Sequence, residues 1–322
     1  MRRLLAAAAA CVTLAGVGAG AAQALDPGQT GLFLVACDFT HRASNDPIVF
    51  HGMPGMSHSH EFFGNTSTDA DSDLASMRKG GTTCQRPEDK SGYWTPTLYK
   101  YGHRVPAVMT TVYYTTGRRD PASIHPLPDG LKMIAGDSMA KVPQNTYIVH
   151  WDCGHPGAMS DRALGRRKAF RRLRRAKVRV KRLARKLPGG RTLRKARRRL
   201  RMARMDVAPS ALPNCAPGHR VHLNLRFPDC WDGVRLDSHD HKSHMAYSPP
   251  INGPRSCPAS HPVPVPVLTF SISWPIADGE GVRLASGSVK TMHGDVFSAW
   301  DPGTQAAIID RCLHTDTDCE AH

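Results

Sequence analysis

Cysteines stand at positions 37, 84, 153, 215, 230, 257, 312 and 319 of this 322-residue chain, and no two of them are spaced C-x-x-C. An even set of cysteines in an exported chain reads as a disulfide framework. The missing C-x-x-C argues against structural zinc held by thiolates. Export is itself legible at the start of the chain. Met1-Arg2-Arg3 is basic, Leu4 to Val17 is apolar and Ala-rich, and Ala22-Gln23-Ala24 is a small-residue cleavage signal. Residues 1–24 therefore read as a signal peptide, with the ninth cysteine, Cys11, inside it. The apolar run is too short and too rich in Gly and Ala for a membrane span, and no later stretch is longer. The expected location is secreted, extracellular. The simplest expected pairing is sequential: Cys37–Cys84, Cys153–Cys215, Cys230–Cys257 and Cys312–Cys319.

Along the chain, 25 prolines and many glycines separate short apolar runs. Gly31–Val35, Ala107–Tyr114, Thr146–Trp151, Arg220–Phe227 and Val263–Trp274 are rich in Val, Ile, Thr and Tyr. Short β-type segments punctuated by turn residues predict an all-β fold, an antiparallel β-sandwich or barrel-like domain spanning 25–322. Proline alternates in Val263-Pro264-Val265-Pro266-Val267, which suits an edge strand.

One segment departs from this pattern. Residues 162–204 hold 22 Lys and Arg and no acid, while the rest of the chain has 21 bases against 27 acids. The formal net charge of +16 therefore comes from one short stretch on a mildly acidic body. Phe170, Leu173, Ala176, Val180, Leu183 and Leu187 recur at three and four residues; Pro188-Gly189-Gly190 interrupts; Leu193, Ala196, Leu200 and Ala203 resume. That spacing predicts an inserted basic α-helical hairpin over 161–205 with a narrow apolar seam. Its charged faces are solvated surfaces or a grip on an anionic cell-envelope surface. Nucleic acid is the weakest of the partners, because no aromatics are interleaved for base stacking.

Of seventeen histidines, six fall in three clusters with acids nearby. In Ser57-His58-Ser59-His60-Glu61, an extended backbone puts His58 and His60 on one face, where two imidazoles can share a metal. In Asp237-Ser238-His239-Asp240-His241-Lys242-Ser243-His244, a helix would align Asp237, His241 and His244, and a strand would align Asp237, His239 and His241. His293-Gly294-Asp295 is the third, its glycine permitting close backbone approach. Imidazole with carboxylate suits a divalent transition metal such as zinc, copper or manganese better than calcium. The alternatives are metal-free acid–base work by His and Asp, or a hydrogen-bond network that stiffens loops. No G-x-S-x-G, Walker loop, G-x-G-x-x-G or H-E-x-x-H is present. Trp94, Trp231 and Trp300 are candidates to line a sugar cleft, with core packing as the other fate of such side chains.

Phe227-Pro228-Asp229-Cys230-Trp231-Asp232-Gly233, followed by Leu236-Asp237 and Asp240-His241-Lys242-Ser243-His244-Met245-Ala246-Tyr247, then Cys257-Pro258 and His261-Pro262, resembles the secreted bacterial and fungal family catalogued as domain of unknown function nineteen ninety-six. Asp46-Pro47-Ile48-Val49, Tyr93 to Tyr99, Leu131 to Gly136 and His293-Gly294-Asp295 leading to Trp300 support the likeness, which covers nearly all of the chain after the leader except the basic hairpin. The resemblance implies export. Fusion of fungal members to carbohydrate-binding modules implies contact with glycans or cell walls, without an accepted reaction. It favours His58, His60, Asp237, Asp240, His241, His244, His293 and Asp295 as site residues, and His239 less.

The resulting expectation is a His/Asp-rich cleft acting on extracellular polysaccharide or cell-envelope polymer. His58, His60, Asp237, His241 and His244 would hold the metal, and Asp240, Asp295 and His293 would orient imidazoles or move protons. The rival is a non-catalytic envelope- or glycan-binding module that grips its partner with the basic hairpin.

Overall fold

In the computed structural model the described residues are 31–154, 171–172, 174–184, 191–205, 212–249 and 255–320. The signal peptide expected at 1–24 and the Pro188-Gly189-Gly190 turn lie outside them. Ten strands build two five-stranded sheets: β1 (Leu32–Ala36), β2 (Phe39–Ala43), β3 (His60–Gly64), β4 (Gly92–Pro96), β5 (Met109–Thr115), β6 (Lys132–Gly136), β7 (Val149–Asp152), β8 (Val221–Arg226), β9 (Val267–Trp274) and β10 (His293–Phe297). The first sheet runs β1-β5-β9-β8-β7 and the second β2-β3-β4-β10-β6, every pairing antiparallel.

One apolar core joins the inward faces of both sheets. Phe33, Val35, Val112, Tyr114, Leu223, Leu225, Phe270 and Ile272 come from the first, and Phe63, Tyr93, Met133, Ala135 and Val296 from the second. The fold is thus the antiparallel β-sandwich among the two architectures expected. Gly294 of β10 packs directly against the first sheet: a Cβ there would lie 2.5 Å from Leu225 Cδ2. The five runs expected as strands all fall in the first sheet, with one correction. Val263–Pro264 is a separate short edge strand against Cys230–Trp231, and β9 begins only at Val267, because prolines 264 and 266 cannot donate to a ladder.

The outer face of the second sheet carries its own smaller core of Ile48, Phe62, Met77, Trp94, Phe297 and Ala299. Part of its cover is a short helix, α1 (Leu74–Lys79), begun by a capping box in which Asp73 and Ser76 satisfy each other's backbone N–H groups. The disulfides are the four sequential pairs expected. Cys312–Cys319 closes a C-terminal strap that follows helix Pro302–Ile308. The strap hydrogen-bonds to β1 through Leu32 N–H to Thr317 O and Cys319 N–H to Leu32 O, covering an otherwise open sheet edge.

The basic hairpin is present as helix α2 over 171–184, Leu173 excepted, and helix α3 (Arg191–Met205). Leu193 and Ala196 are buried, and Ala176, Val180, Leu183 and Leu200 half-buried, as the spacing predicts for these six; the side chains of Phe170, Leu173, Leu187 and Ala203, the rest of the expected seam, lie outside the described ones. Cys153–Cys215 closes the base of the excursion. Arg198 ties it to the body by donating from Nε and Nη2 to Glu280 at 2.9 and 2.6 Å.

If the sandwich spacing depends on a missing side chain at position 294, Gly294→Ala should destabilise the protein by about 1–3 kcal/mol through overpacking. Urea denaturation at constant m-value measures it. Unchanged stability would show that Leu225 yields freely.

Candidate metal centre

Strand β4 lies between β3 and β10 and holds them in register. His60 is opposite Pro96, Phe62 is opposite Trp94, and Trp94 is opposite Asp295. Because side chains alternate, His60, Phe62, Trp94, His293, Asp295 and Phe297 all point from the outer face. Phe62, Trp94 and Phe297 enter the smaller core, and the two histidines and the aspartate stand beside it. His58, just before β3, brings its ring to within 4.3 Å of the His60 ring and 5.0 Å of the His293 ring, between centroids.

The three histidines each offer a ring nitrogen, all within 4.8 Å of one another. His58 Nε2 and His293 Nε2 are 3.2 Å apart. Two nitrogens bound tetrahedrally to one zinc-sized ion stand about 3.3 Å apart, given bonds of about 2.0–2.1 Å. The orientation of two rings is set from behind. His60 Nδ1 donates to Asn45 O at 2.9 Å, and His293 Nδ1 donates to Thr291 O at 2.9 Å. Each Nε2 is thereby left with its lone pair available, the arrangement that outer hydrogen bonds impose on metal-ligating imidazoles. His60 Nε2 is buried and has no hydrogen-bond partner among the described residues.

Electrostatics keep the rings neutral, which is the ligating form. Burial pushes His60 well below its ordinary value, and the neighbouring His58 and His293 oppose any added charge. Burial also lowers His293, to about 3, against the favourable Thr291 carbonyl. Asp295 is fully buried, and neither carboxylate oxygen has a hydrogen-bond partner among the described residues. Burial raises its pKa well above the usual range, helped by Asp46 and opposed by Lys242. Asp46, missed by sequence reasoning, is buried on the loop before β3, where Oδ1 accepts the N–H groups of Ile48 and Val49. A cation beside these groups would supply the charge that Asp295 lacks.

The second histidine cluster forms a rim around this site and contributes none of the three grouped nitrogens. Residues 237–244 are neither helix nor strand but a succession of turns, with His241 in the left-handed region at φ +56°. His244 was expected as a ligand. It is fully buried with both ring nitrogens engaged, Nδ1 with Ser238 Oγ at 2.9 Å and Nε2 donating to Lys132 O at 2.6 Å. It staples the loop to β6. His241 Nδ1 pairs with the Asp237 carboxylate at 3.0 and 3.1 Å, and Asp237 also faces Lys132 Nζ at 3.7 Å. Asp240 is exposed and organises the turn, accepting from Ser238 Oγ and from the backbone N–H groups of Lys242 and Ser243. These bonds, that from Ser243 N–H foremost, hold its carboxyl well below the usual range. The link from this loop to the site is Lys242. Its Nζ donates to Gly136 O at 2.8 Å, and its charge acts on both His293 and Asp295.

His293 was expected to orient imidazoles or move protons, and its ring nitrogen falls in one group with those of His58 and His60. His-Gly-Asp has the same two-residue spacing as His58-Ser59-His60, which is the signal that marks it. Of the tryptophans, Trp94 is fully buried and Trp300 is 2% exposed, with Nε1 donating to Tyr114 Oη at 3.0 Å. Both are core residues beyond the reach of a sugar ring. Trp231 is half-buried and donates to Arg235 O at 2.6 Å. Cys37, Cys84 and Asp89 also cluster, but those two sulfurs are joined to each other.

A pH dependence follows from the buried rings. In the unfolded chain a histidine takes up its proton near pH 6.5, whereas His293 in the folded chain resists until about pH 3. The unfolded state therefore binds more protons as pH falls below 6.5, so the stability present above that pH is lost on acidification. In chelator-treated protein, His293→Gln should lose less stability than wild type between pH 6.5 and 4, by on the order of 3 kcal/mol. Parallel denaturation curves for the two proteins over that range would contradict the assignment.

No curated protein and no solved structure matches the chain. A family profile does, over residues 46–300, which takes in all three histidines, Asp295 and the rim loop. The chain accordingly belongs to the family described as Domain of unknown function (DUF1996).

Proposed function

We propose that this is a secreted protein whose His58, His60 and His293 hold one divalent transition metal at a site acting on extracellular polysaccharide or cell-envelope polymer. The observation that carries the reading is the convergence of three neutral imidazoles with two Nε2 atoms 3.2 Å apart. Three histidines with a coordination position left open is a known arrangement for catalytic zinc, and imidazole also suits copper and manganese. Such an ion, when bound, polarises a substrate oxygen or lowers the pKa of water. The chain's own groups then divide the remaining work. Asn45 and Thr291 fix ring orientation, His58, the half-exposed member, faces the solvent side, and Asp295 on the same face is able to accept or donate a proton. Four disulfides support maturation in an oxidising compartment. Among the described residues no helix is long and apolar enough to cross a membrane.

Chelator-stripped protein titrated with zinc, copper and manganese should take up one ion per chain, read by calorimetry and by elemental analysis after dialysis. His60→Ala and His293→Ala should abolish stoichiometric uptake, and His241→Ala should retain it. Wild-type protein that binds none of the three ions removes the metal reading.

A second reading rests on a separate observation. The groove between α2 and α3 is lined by Arg172, Arg175, Arg179, Lys195, Arg198 and Arg199, with Glu280 as its acid. That density of positive charge suits an anionic envelope polymer held without regard to sequence. Deleting 162–204 should leave the disulfide-braced body folded and abolish sedimentation with cell-wall fragments at low salt. Unchanged sedimentation would assign the envelope contact to the body instead.

A further inference from the structure

Strands β7, β8 and β9 turn a row of polar side chains away from the shared core at the margin of the first sheet. Their inward residues, Val149, Trp151, Leu223, Leu225, Phe270 and Ile272, belong to that core. Their outward residues include Asp152, His222, Asn224, Ser271 and Ser273. The register sets His222 opposite Asp152 on one side and opposite Ser273 on the other, with Ser271 opposite Asn224. Within that lattice Ser271 Oγ lies 2.7 Å from His222 Nε2, and His222 Nδ1 lies 3.1 Å from Asp152 Oδ1.

We infer that Ser271, His222 and Asp152 form a second reactive centre, an acyl-transfer triad directed at small carboxylic esters. It is independent of the metal reading.

The geometry assigns each member its part. Asp152 accepts from His222 Nδ1, from Asn224 Nδ2 at 3.1 Å and from Gly154 N–H at 2.8 Å, and His150 Nε2 stands 3.4 Å from its other oxygen. Burial opposes its charge, but the hydrogen bonds from His150 and His222 outweigh it and hold the carboxyl well below the usual range. An ionised Asp152 fixes the proton of His222 on Nδ1. Nε2 is then an acceptor aimed at the Ser271 hydroxyl, which is the tautomer a general base requires. Gly154, at φ +61°, lets the chain leaving β7 turn across the imidazole, with its Cβ position 3.6 Å from His222. Ser271 and His222 are buried, 4% and 7% exposed, which limits the approach to a small ester, and Ser273 Oγ on the same face is buried without a hydrogen-bond partner among the described residues.

The chemistry balances without a cofactor. As Ser271 Oγ bonds to the ester carbonyl carbon, its proton passes to His222 Nε2. The bond from that carbon to the alkoxy oxygen then breaks, and the proton moves from Nε2 to the leaving alcohol. Water, deprotonated by the same nitrogen, releases the acid and restores the hydroxyl. No G-x-S-x-G signals this serine, because it projects from a strand and not from a strand-to-helix elbow.

Labelling of the full folded chain with an alkyl fluorophosphonate tests the assignment. One covalent adduct on Ser271, located by peptide mass spectrometry, is expected. Ser271→Ala should lose it, and His222→Gln should slow it about a hundredfold. Chelator-treated protein and His60→Ala should label as wild type does, so that failure of the metal site leaves this result standing. Folded wild-type protein without an adduct on Ser271, or with labelling that persists unslowed in His222→Gln, would show that the three residues are a structural network and overturn the inference. The wild-type measurement decides the matter even where a variant fails to fold.

Discussion

Backbone pairing of β4 with β3 on one side and β10 on the other is the constraint on which the histidine centre depends. It brings His60 and His293, more than two hundred residues apart in sequence, onto one sheet face. Ladder hydrogen bonds fix both the spacing and the face, since a slip of one residue would send each imidazole into the opposite layer. Gly294 keeps β10 close to the first sheet while its neighbours His293 and Asp295 point away from it. The most polar stretch of β10 is therefore pinned between two apolar cores.

Holding polar groups there is unfavourable unless each is satisfied. The imidazoles meet that condition in part, by staying neutral and, in His60 and His293, giving the Nδ1 proton to a backbone carbonyl, while His60 Nε2 has no partner among the described residues. Asp295 meets it by protonation or by an adjacent cation. Elsewhere the chain follows the usual remedy of pairing buried charge, as in Arg119, whose guanidinium reaches the carboxylate and the backbone oxygen of the buried Asp229. The contrast marks the His58–His60–His293 group as an arrangement that a ligand would complete. The Ser271–His222–Asp152 row is different, since its members satisfy one another.

Much of the architecture was legible in residue order. The runs read as strands all lie in the first sheet, whose Val-, Ile- and Thr-rich segments carry the usual β signature. The second sheet was harder to read. His-Glu-Phe-Phe-Gly, Gly-Tyr-Trp-Thr-Pro and His-Gly-Asp-Val-Phe are buried on both faces and mix apolar with polar residues, so they lack simple alternation. These are the strands that build the histidine site. Within the site, His58, His60, His293 and Asp295 were all singled out beforehand, but His241 and His244 were expected where His293 stands. Their loop takes its shape from Asp240 and His244 acting as internal braces, a detail of turn chemistry that spacing does not reveal.

Residue order by itself determined the cysteine framework, the β-rich class and the basic two-helix excursion, because each rests on local composition or short-range periodicity. Tertiary structure alone decided which histidines meet, which tryptophans are sealed in the core, and that a serine, a histidine and an aspartate share one sheet face. Those outcomes depend on strand order and register between distant segments, and local spacing carries no information about which strands become neighbours.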